Sequence, residues 1–141
     1  MDTLNWIYYG AFLEEAAKNN LLEYVKRYIS VPEDWKVYCD HMTIIYNDGS
    51  ENAASWAHNI DELVGSIAHL LVTHVGTSDR CIAVKVSGFS SNNANPHITV
   101  AVAPGAKPVE SNDITNWYIV PDCGIGLTAK INVVTRGLQK K

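Results

Sequence analysis

The sequence is poor in the features that cross-link a chain or anchor it in a membrane. Its three cysteines, Cys39, Cys81 and Cys123, are widely spaced and form no CxxC pair, which favours a reducing compartment over a disulfide framework. No stretch approaches the roughly 20 apolar residues of a transmembrane helix, and no basic segment followed by an apolar run marks a signal peptide. We therefore expect a protein of the cytoplasm, or of a host cytoplasm if it is viral, without a membrane partner.

Positive charge is also scarce. The 11 Lys and Arg residues are outnumbered by 15 Asp and Glu residues, so the formal net charge is −4 and the pI is near 5.6. Extended duplex nucleic acid is held through many phosphates by a broad basic surface, and this composition argues against such a surface. A small phosphate-bearing ligand or the end of an RNA strand remains compatible with it.

What the chain does contain is enough apolar material for one core. With 141 residues and 47% hydrophobic composition, it fits a single domain over residues 1–141 and is too short for two independent domains. Residues 51–60 fit either a short helix or a packed loop, and a weak echo between the two halves suggests two pseudo-symmetric lobes of an α+β fold. The predicted strands are Trp6–Leu13, Val37–Asn47, a stretch from about Ile67 or Leu70, Arg80–Gly88, His97–Ala103, Tyr118–Pro121 and Thr128–Thr135, and the predicted helices are Glu14–Ile29 and Pro108–Trp117.

Two tetrapeptides share one pattern. His41-Met-Thr-Ile and His97-Ile-Thr-Val are each a histidine, an apolar residue, a threonine and an apolar residue. Successive side chains of a strand point to opposite faces, so each motif would give one face to a core and offer an imidazole beside a hydroxyl on the other. Ala101 and Ala103 continue the second polar face and leave room beside the histidine. Two such strands side by side would form a site.

Such a site suits attack at phosphorus without a metal. One imidazole can remove a proton from water or a 2′-hydroxyl while the other, protonated, donates to the leaving oxygen. The hydroxyls of Thr43 and Thr99 can donate to the non-bridging oxygens and stabilise the charge of the transition state. The alternative is that both are half-buried strand histidines bonded to their neighbours, because short motifs also arise by chance.

Further residues are weaker candidates for contacts with a substrate. Lys107, at the start of the second predicted helix, could meet a phosphate, although an exposed lysine is the simpler interpretation. Tyr9 and Tyr46 could stack a base, although most aromatic residues pack in cores. The other aromatic candidates are Tyr8, Trp56 and Trp117. Three histidines lack carboxylates at ligand spacing and predict no metal site: His58, His69 and His74.

The two motifs resemble the signature of the two-histidine phosphoesterase superfamily, in which a pair of His-apolar-Thr/Ser-apolar motifs lies on facing strands of two lobes. The segment His97–Asn112 is similar to the region around the second motif in the cyclic phosphodiesterase part of fungal-type tRNA ligases and related RNA-repair proteins, and the resemblance covers Trp6–Arg136. It implies an α+β fold with two pseudo-symmetric lobes, antiparallel sheets lining a central cleft, and helices outside. It also implies a site without metal or cofactor, formed by an acid/base pair, His41 and His97, and two phosphate ligands, Thr43 and Thr99.

The expected function is that of an enzyme, a metal-independent phosphodiesterase acting on a 2′,3′-cyclic phosphate or another RNA-type phosphodiester. A second possibility is degradation of a cyclic oligonucleotide or a 2′,5′-oligoadenylate, the nucleotide second messengers that viruses remove to silence host immune signalling. A third is a module that binds a nucleotide without cutting it, although binding alone needs no base or acid. The chain is shorter than most superfamily members, which leaves the substrate open, and the oligomeric state is open as well.

Overall fold

In the part of the chain that the structure describes, strands make up most of the regular structure, with two α-helices and one 3₁₀ helix between them, so the predicted α+β class is confirmed. The computed structural model describes residues 6–121 and 124–136. The strands are β1 (Trp6–Leu13), β2 (Lys36–Val37), β3 (His41–Tyr46), β4 (Ile67–Thr77), β5 (Cys81–Ser87), β6 (His97–Val102), β7 (Asn116–Ile119) and β8 (Gly126–Thr135). The helices are α1 (Glu15–Lys26), α2 (Glu51–Asp61) and the 3₁₀ helix (Pro108–Asp113).

Six of the strands close into an antiparallel barrel. β1 lies between β3 and β8, β4 lies between β8 and β5, and β6 joins β5 back to β3. The two shortest strands lie outside this ring, where β2 pairs with β6 and β7 pairs with β4. Because the ring is continuous, it shows no boundary between two sheets. The predicted two-lobed pseudo-symmetry is therefore not confirmed.

One core cluster takes side chains from all six barrel strands and from both α-helices. In α1, Leu21 and Val25 lie four residues apart on one face and are fully buried, as the periodicity predicted. Met42 of β3 and Ile98 of β6 belong to the same cluster. This cluster therefore lies on the helix side of the sheet, and the opposite face of β3 and β6 carries the remaining side chains of the two motifs. We call this opposite face the motif face.

Two predicted elements differ from the structure in number or type, and the predicted strand Tyr118–Pro121 is shifted by two residues to Asn116–Ile119. The predicted strand Val37–Asn47 is divided into β2 and β3, because Cys39 between them has a left-handed backbone with φ +48°. The predicted helix Pro108–Trp117 is a 3₁₀ helix that ends at Asp113, because Ile114 is extended, with φ −66° and ψ 131°. Trp117 consequently lies in a strand, β7, and not in a helix.

The structure also resolves an open helix assignment and shows the state of two cysteines. Residues 51–60, which fitted a helix or a loop, form most of α2. Cys39 and Cys81 are buried free thiols, and burial raises the pKa of Cys39 to about 12. Cys123 lies outside the described residues. Within the described ranges, the helices are too short or too polar to cross a membrane.

Candidate functional site

The two motifs meet because β3 and β6 are neighbours in the barrel. Met42 pairs with Ile98 in an antiparallel register, and both side chains are fully buried. The residues on either side of this pair therefore share the motif face, with His41 across from Thr99 and Thr43 across from His97. Each histidine stands opposite the threonine of the other motif. The two histidines are diagonal neighbours, a relation in which residues lie roughly 7–8 Å apart.

The loop of residues 90–96 bridges the two motif strands and orients one imidazole. Ser91 Oγ donates to the carbonyl of Thr43 at 2.8 Å, and the Asn92 amide donates to the carbonyl of Ile44 at 2.8 Å. Asn95 O lies 2.7 Å from His97 Nδ1. Because a carbonyl only accepts, Nδ1 carries the proton in this bond. Nε2 of His97 is then the nitrogen left to take up or deliver a proton.

His41 lies in a more enclosed environment than His97. Its ring packs against Tyr8 and Phe12 with centroid distances of 5.0 Å in both cases, and the two aromatic rings also contact each other at 6.0 Å. Burial lowers the pKa of His41, the nearby Asp40 carboxylate raises this pKa, and the like charge of His97 lowers it. The neutral imidazole is thus the favoured form. Its Nδ1 is buried without a hydrogen-bond partner among the described residues.

A glycine permits this close packing around His41. A Cβ at Gly10 would lie 3.1 Å from the carbonyl oxygen of Met42, 3.3 Å from Cε1 of Phe12 and 3.5 Å from Cδ2 of His41. Gly10 is paired with Thr43 on β3, and Phe12 is paired with His41. Strand β1 therefore supplies one wall of the site. Alternation along β1 indicates a shared face for Gly10 and Phe12, but the sequence does not show which strand lies beside it.

The two threonine hydroxyls differ in their surroundings. Thr99 Oγ1 lies 2.6 Å from Ser111 Oγ and 3.3 Å from the carbonyl oxygen of Pro108. Ser111, which is buried, also donates to that carbonyl. Because Ser111 has a single hydroxyl proton and gives it to Pro108, Thr99 donates its own proton within this cluster, and it would have to exchange that bond to donate to a phosphate oxygen. Thr43 is half-buried on the motif face, across from His97.

The structure separates the predicted substrate contacts. Tyr46 is 59% exposed and is paired with Tyr8 at the end of β3. Tyr9, in contrast, is fully buried, and its hydroxyl donates to Asp61 Oδ1 at 2.8 Å. The predicted substrate contact of Tyr9 is therefore wrong, and this residue belongs to the core. Tyr8, its neighbour, carries the aromatic ring that reaches the site. Lys107 is exposed just before the 3₁₀ helix, and its amide donates to Glu110 Oε2 at 2.7 Å.

Comparisons with known proteins identify a family and a similar fold. The sequence model of a family described as the fungal tRNA ligase phosphodiesterase domain matches residues 23–135. A crystal structure of a fungal RNA kinase is similar to the chain, with a TM-score of 0.71 and 15% sequence identity. That similarity covers 97% of this chain and 47% of the other, so the chain spans about half the length of that protein. At this identity the likeness concerns the fold. No curated protein matches the sequence significantly.

Proposed function

Because the chain belongs to the family of fungal tRNA ligase phosphodiesterase domains, we propose that it hydrolyses 2′,3′-cyclic phosphates, or a related phosphodiester next to a ribose hydroxyl, by His/His acid–base catalysis. The observation that carries this proposal is the pairing of Met42 with Ile98, which turns both His-X-Thr motifs to one face. A nucleotide-binding module would need phosphate donors but would have no use for two imidazoles arranged diagonally.

The proposed reaction uses the two imidazoles on opposite sides of one phosphorus. His41, the histidine with the lowered pKa, removes a proton from water as the water oxygen bonds to phosphorus. His97 donates the proton on Nε2 to the ribose oxygen as its bond to phosphorus breaks. The products are a phosphomonoester and a free ribose hydroxyl, and the proton on His41 then returns to His97 through solvent.

The proposed roles of the threonines and tyrosines follow from their positions. Thr43 and Thr99 flank the space between the imidazoles, where their hydroxyls would donate to the non-bridging oxygens. Tyr46 and Tyr8 lie at the β1 and β3 side of the site, where a base could stack on an aromatic ring. Lys107 stays a candidate for a more distant phosphate contact. No step of this scheme assigns chemistry to a metal.

The pH dependence of turnover tests which histidine is the base. A base must be neutral, so the acid limb of kcat/KM would report the pKa of His41 in the free enzyme. Asp40→Asn removes a charge that raises this pKa, and we expect the acid limb to move to lower pH. Tyr8→Ala relieves the burial that lowers it, and we expect the acid limb to move to higher pH. Asp34→Asn, in an exposed loop, is the control. A shift of the alkaline limb instead would make His41 the acid and reverse the assignment.

Assays of the purified protein against defined substrates test the function itself. The panel contains 2′,3′-cyclic mononucleotides, an RNA oligonucleotide ending in a 2′,3′-cyclic phosphate, cyclic dinucleotides and 2′,5′-oligoadenylate, each with and without EDTA. We expect cleavage of the cyclic phosphates in the presence of EDTA. Loss of activity with EDTA would contradict the metal-free scheme. Turnover confined to the cyclic dinucleotides or oligoadenylate would contradict the RNA-end substrate, and binding without any turnover would identify a binding module.

A further inference from the structure

A strip of basic side chains crosses the motif face beside His97. Strand β5 lies between β4 and β6, and the two registers place His74 opposite Lys85 and Lys85 opposite His97. Residues directly opposite one another in a sheet share a face, so the three side chains stand in one row. The residues on either side of Lys85, Val84 and Val86, are buried in the core. The row therefore faces away from the core, on the same side as the two motifs.

The charge of this strip is not balanced within the described part of the chain. Like charges directly opposite one another destabilise a sheet, and Lys85 stands between two groups that gain positive charge on protonation. The side-chain ion pairs among the described residues join Lys18 to Asp40 and Arg80 to Glu110, and neither includes Lys85. On a protein with a net charge of −4, an uncompensated basic strip beside a candidate phosphodiesterase site indicates a place for an anion.

The position of the Lys85 ammonium decides which anion it could reach. A phosphate undergoing cleavage must lie between β3 and β6, where His41 and His97 are. Lys85 is one strand beyond β6, and its Nζ lies 5.0 Å from the centre of the Trp117 ring. This ring covers β4, since a Cβ at Gly76 would lie 2.4 Å from it. The ammonium is thus held on the side of His97 that is farther from β3.

We propose that Lys85 binds a second phosphate of the substrate, adjacent to the one that is cleaved, and that Trp117 positions the lysine by a cation–π contact. The proposal rests on the proposed function and narrows its substrate to molecules with at least two neighbouring phosphates. Oligonucleotides have this second phosphate, whereas cyclic mononucleotides would bind without the Lys85 contact and therefore more weakly. A linear RNA end and a cyclic dinucleotide share this chemistry.

The test compares substrates that differ by one phosphate. Adenosine 2′,3′-cyclic phosphate carries one, and the dinucleotide ApA with a terminal 2′,3′-cyclic phosphate carries two. We expect Lys85→Gln to raise KM for the dinucleotide about tenfold, the size of one charge-assisted hydrogen bond, and to leave KM for the mononucleotide within about twofold. Lys85→Arg keeps the positive charge, so its KM for the dinucleotide should lie close to that of the wild-type protein. The salt dependence of kcat/KM for the dinucleotide should also become shallower in Lys85→Gln, by roughly one released counterion.

Lys36 provides the matched control. Its Nζ lies 5.0 Å from the centre of the Tyr38 ring, and Lys36 pairs with Val102 at the far end of β6, roughly 16 Å along the strand from His97. Lys36→Gln should therefore change neither KM. Equal effects of Lys85→Gln on both substrates, or none on either, would overturn the proposal. Isothermal titration calorimetry can make the same comparison without turnover, by measuring the Kd of ApA 3′-phosphate and of adenosine 3′-phosphate for the wild-type protein and for Lys85→Gln. Because this measurement needs no hydrolysis, it distinguishes failure of the hydrolase function from failure of the second-phosphate site. If Lys85→Gln raised KM only for cyclic di-AMP, the second phosphate would be that of a cyclic dinucleotide and not that of a linear RNA end.

Discussion

Replacing His41 or His97 by alanine is expected to lower kcat for a 2′,3′-cyclic phosphate by about 10²–10⁴-fold, the usual contribution of general acid–base catalysis. We expect this loss because one imidazole would accept a proton from water while the other donates one to the leaving oxygen. Because the pair would act on a single phosphorus, the double variant should be only slightly slower than either single variant. Independent roles would instead multiply the two losses.

The measurement must separate loss of chemistry from loss of structure. His41 packs against Tyr8 and Phe12, so His41→Ala also removes ring contacts, and His41→Gln keeps more of the volume. His69→Ala, at an exposed position of β4, is the matched control and should retain full activity. Initial rates are compared with urea unfolding curves for each variant. A folded His41→Gln or His97→Ala protein with near-normal turnover would remove that histidine from the mechanism.

Gly88→Ala is expected to destabilise the protein by about 3 kcal/mol or more. Gly88 follows β5 and has φ +112°, a conformation that residues with a side chain rarely adopt. A Cβ there would also lie 2.3 Å from the carbonyl oxygen of His69, which belongs to the backbone of β4 and cannot rotate away. The strain and the clash would both have to be relieved by moving the β4–β5 pair.

Gly105→Ala separates these two costs. Gly105 has φ +82°, and nothing beyond its two chain neighbours lies within 4 Å of its ideal Cβ position, so it carries the conformational strain alone, on the order of 1 kcal/mol. The midpoints and slopes of urea unfolding give the difference between the two variants. If Gly88→Ala were no more destabilising than Gly105→Ala, the close approach of the Gly88 turn to β4 would be contradicted.

Local periodicity predicted much of this fold from the sequence. Strand β1 was predicted over Trp6–Leu13 and has those bounds, because aromatic and β-branched residues there bury one face. The clean alternation from Arg80 to Gly88 likewise predicted β5 to within one residue at each end. The repeated His-X-Thr pattern indicated which side chains would share a face, and the resemblance drawn from it agrees with the family match over residues 23–135.

The parts that could not be predicted depend on contacts between distant segments. The pairing of Met42 with Ile98 joins residues far apart in the chain, and the barrel it helps to close has no local signature. The registers of β1 with β3 and of β5 with β6 place Phe12 beside His41 and Lys85 beside His97, and neither neighbour is visible in the sequence. The substrate contact predicted for Tyr9 was wrong for a similar reason, since Asp61 of α2 lies where it can accept the phenol proton.

The closed ring of strands also sets the order in which the protein can be completed during synthesis. Trp6 pairs with Thr135, so strand β1 has only one of its two neighbours until almost the whole described chain has left the ribosome. Strands β3 and β6 are both present once Val102 has been added, and they are joined by one residue pair and by the bonds of the loop of residues 90–96. We infer that the ring closes only after β8 has been made, and that folding, dominated by distant pairings, takes milliseconds to seconds.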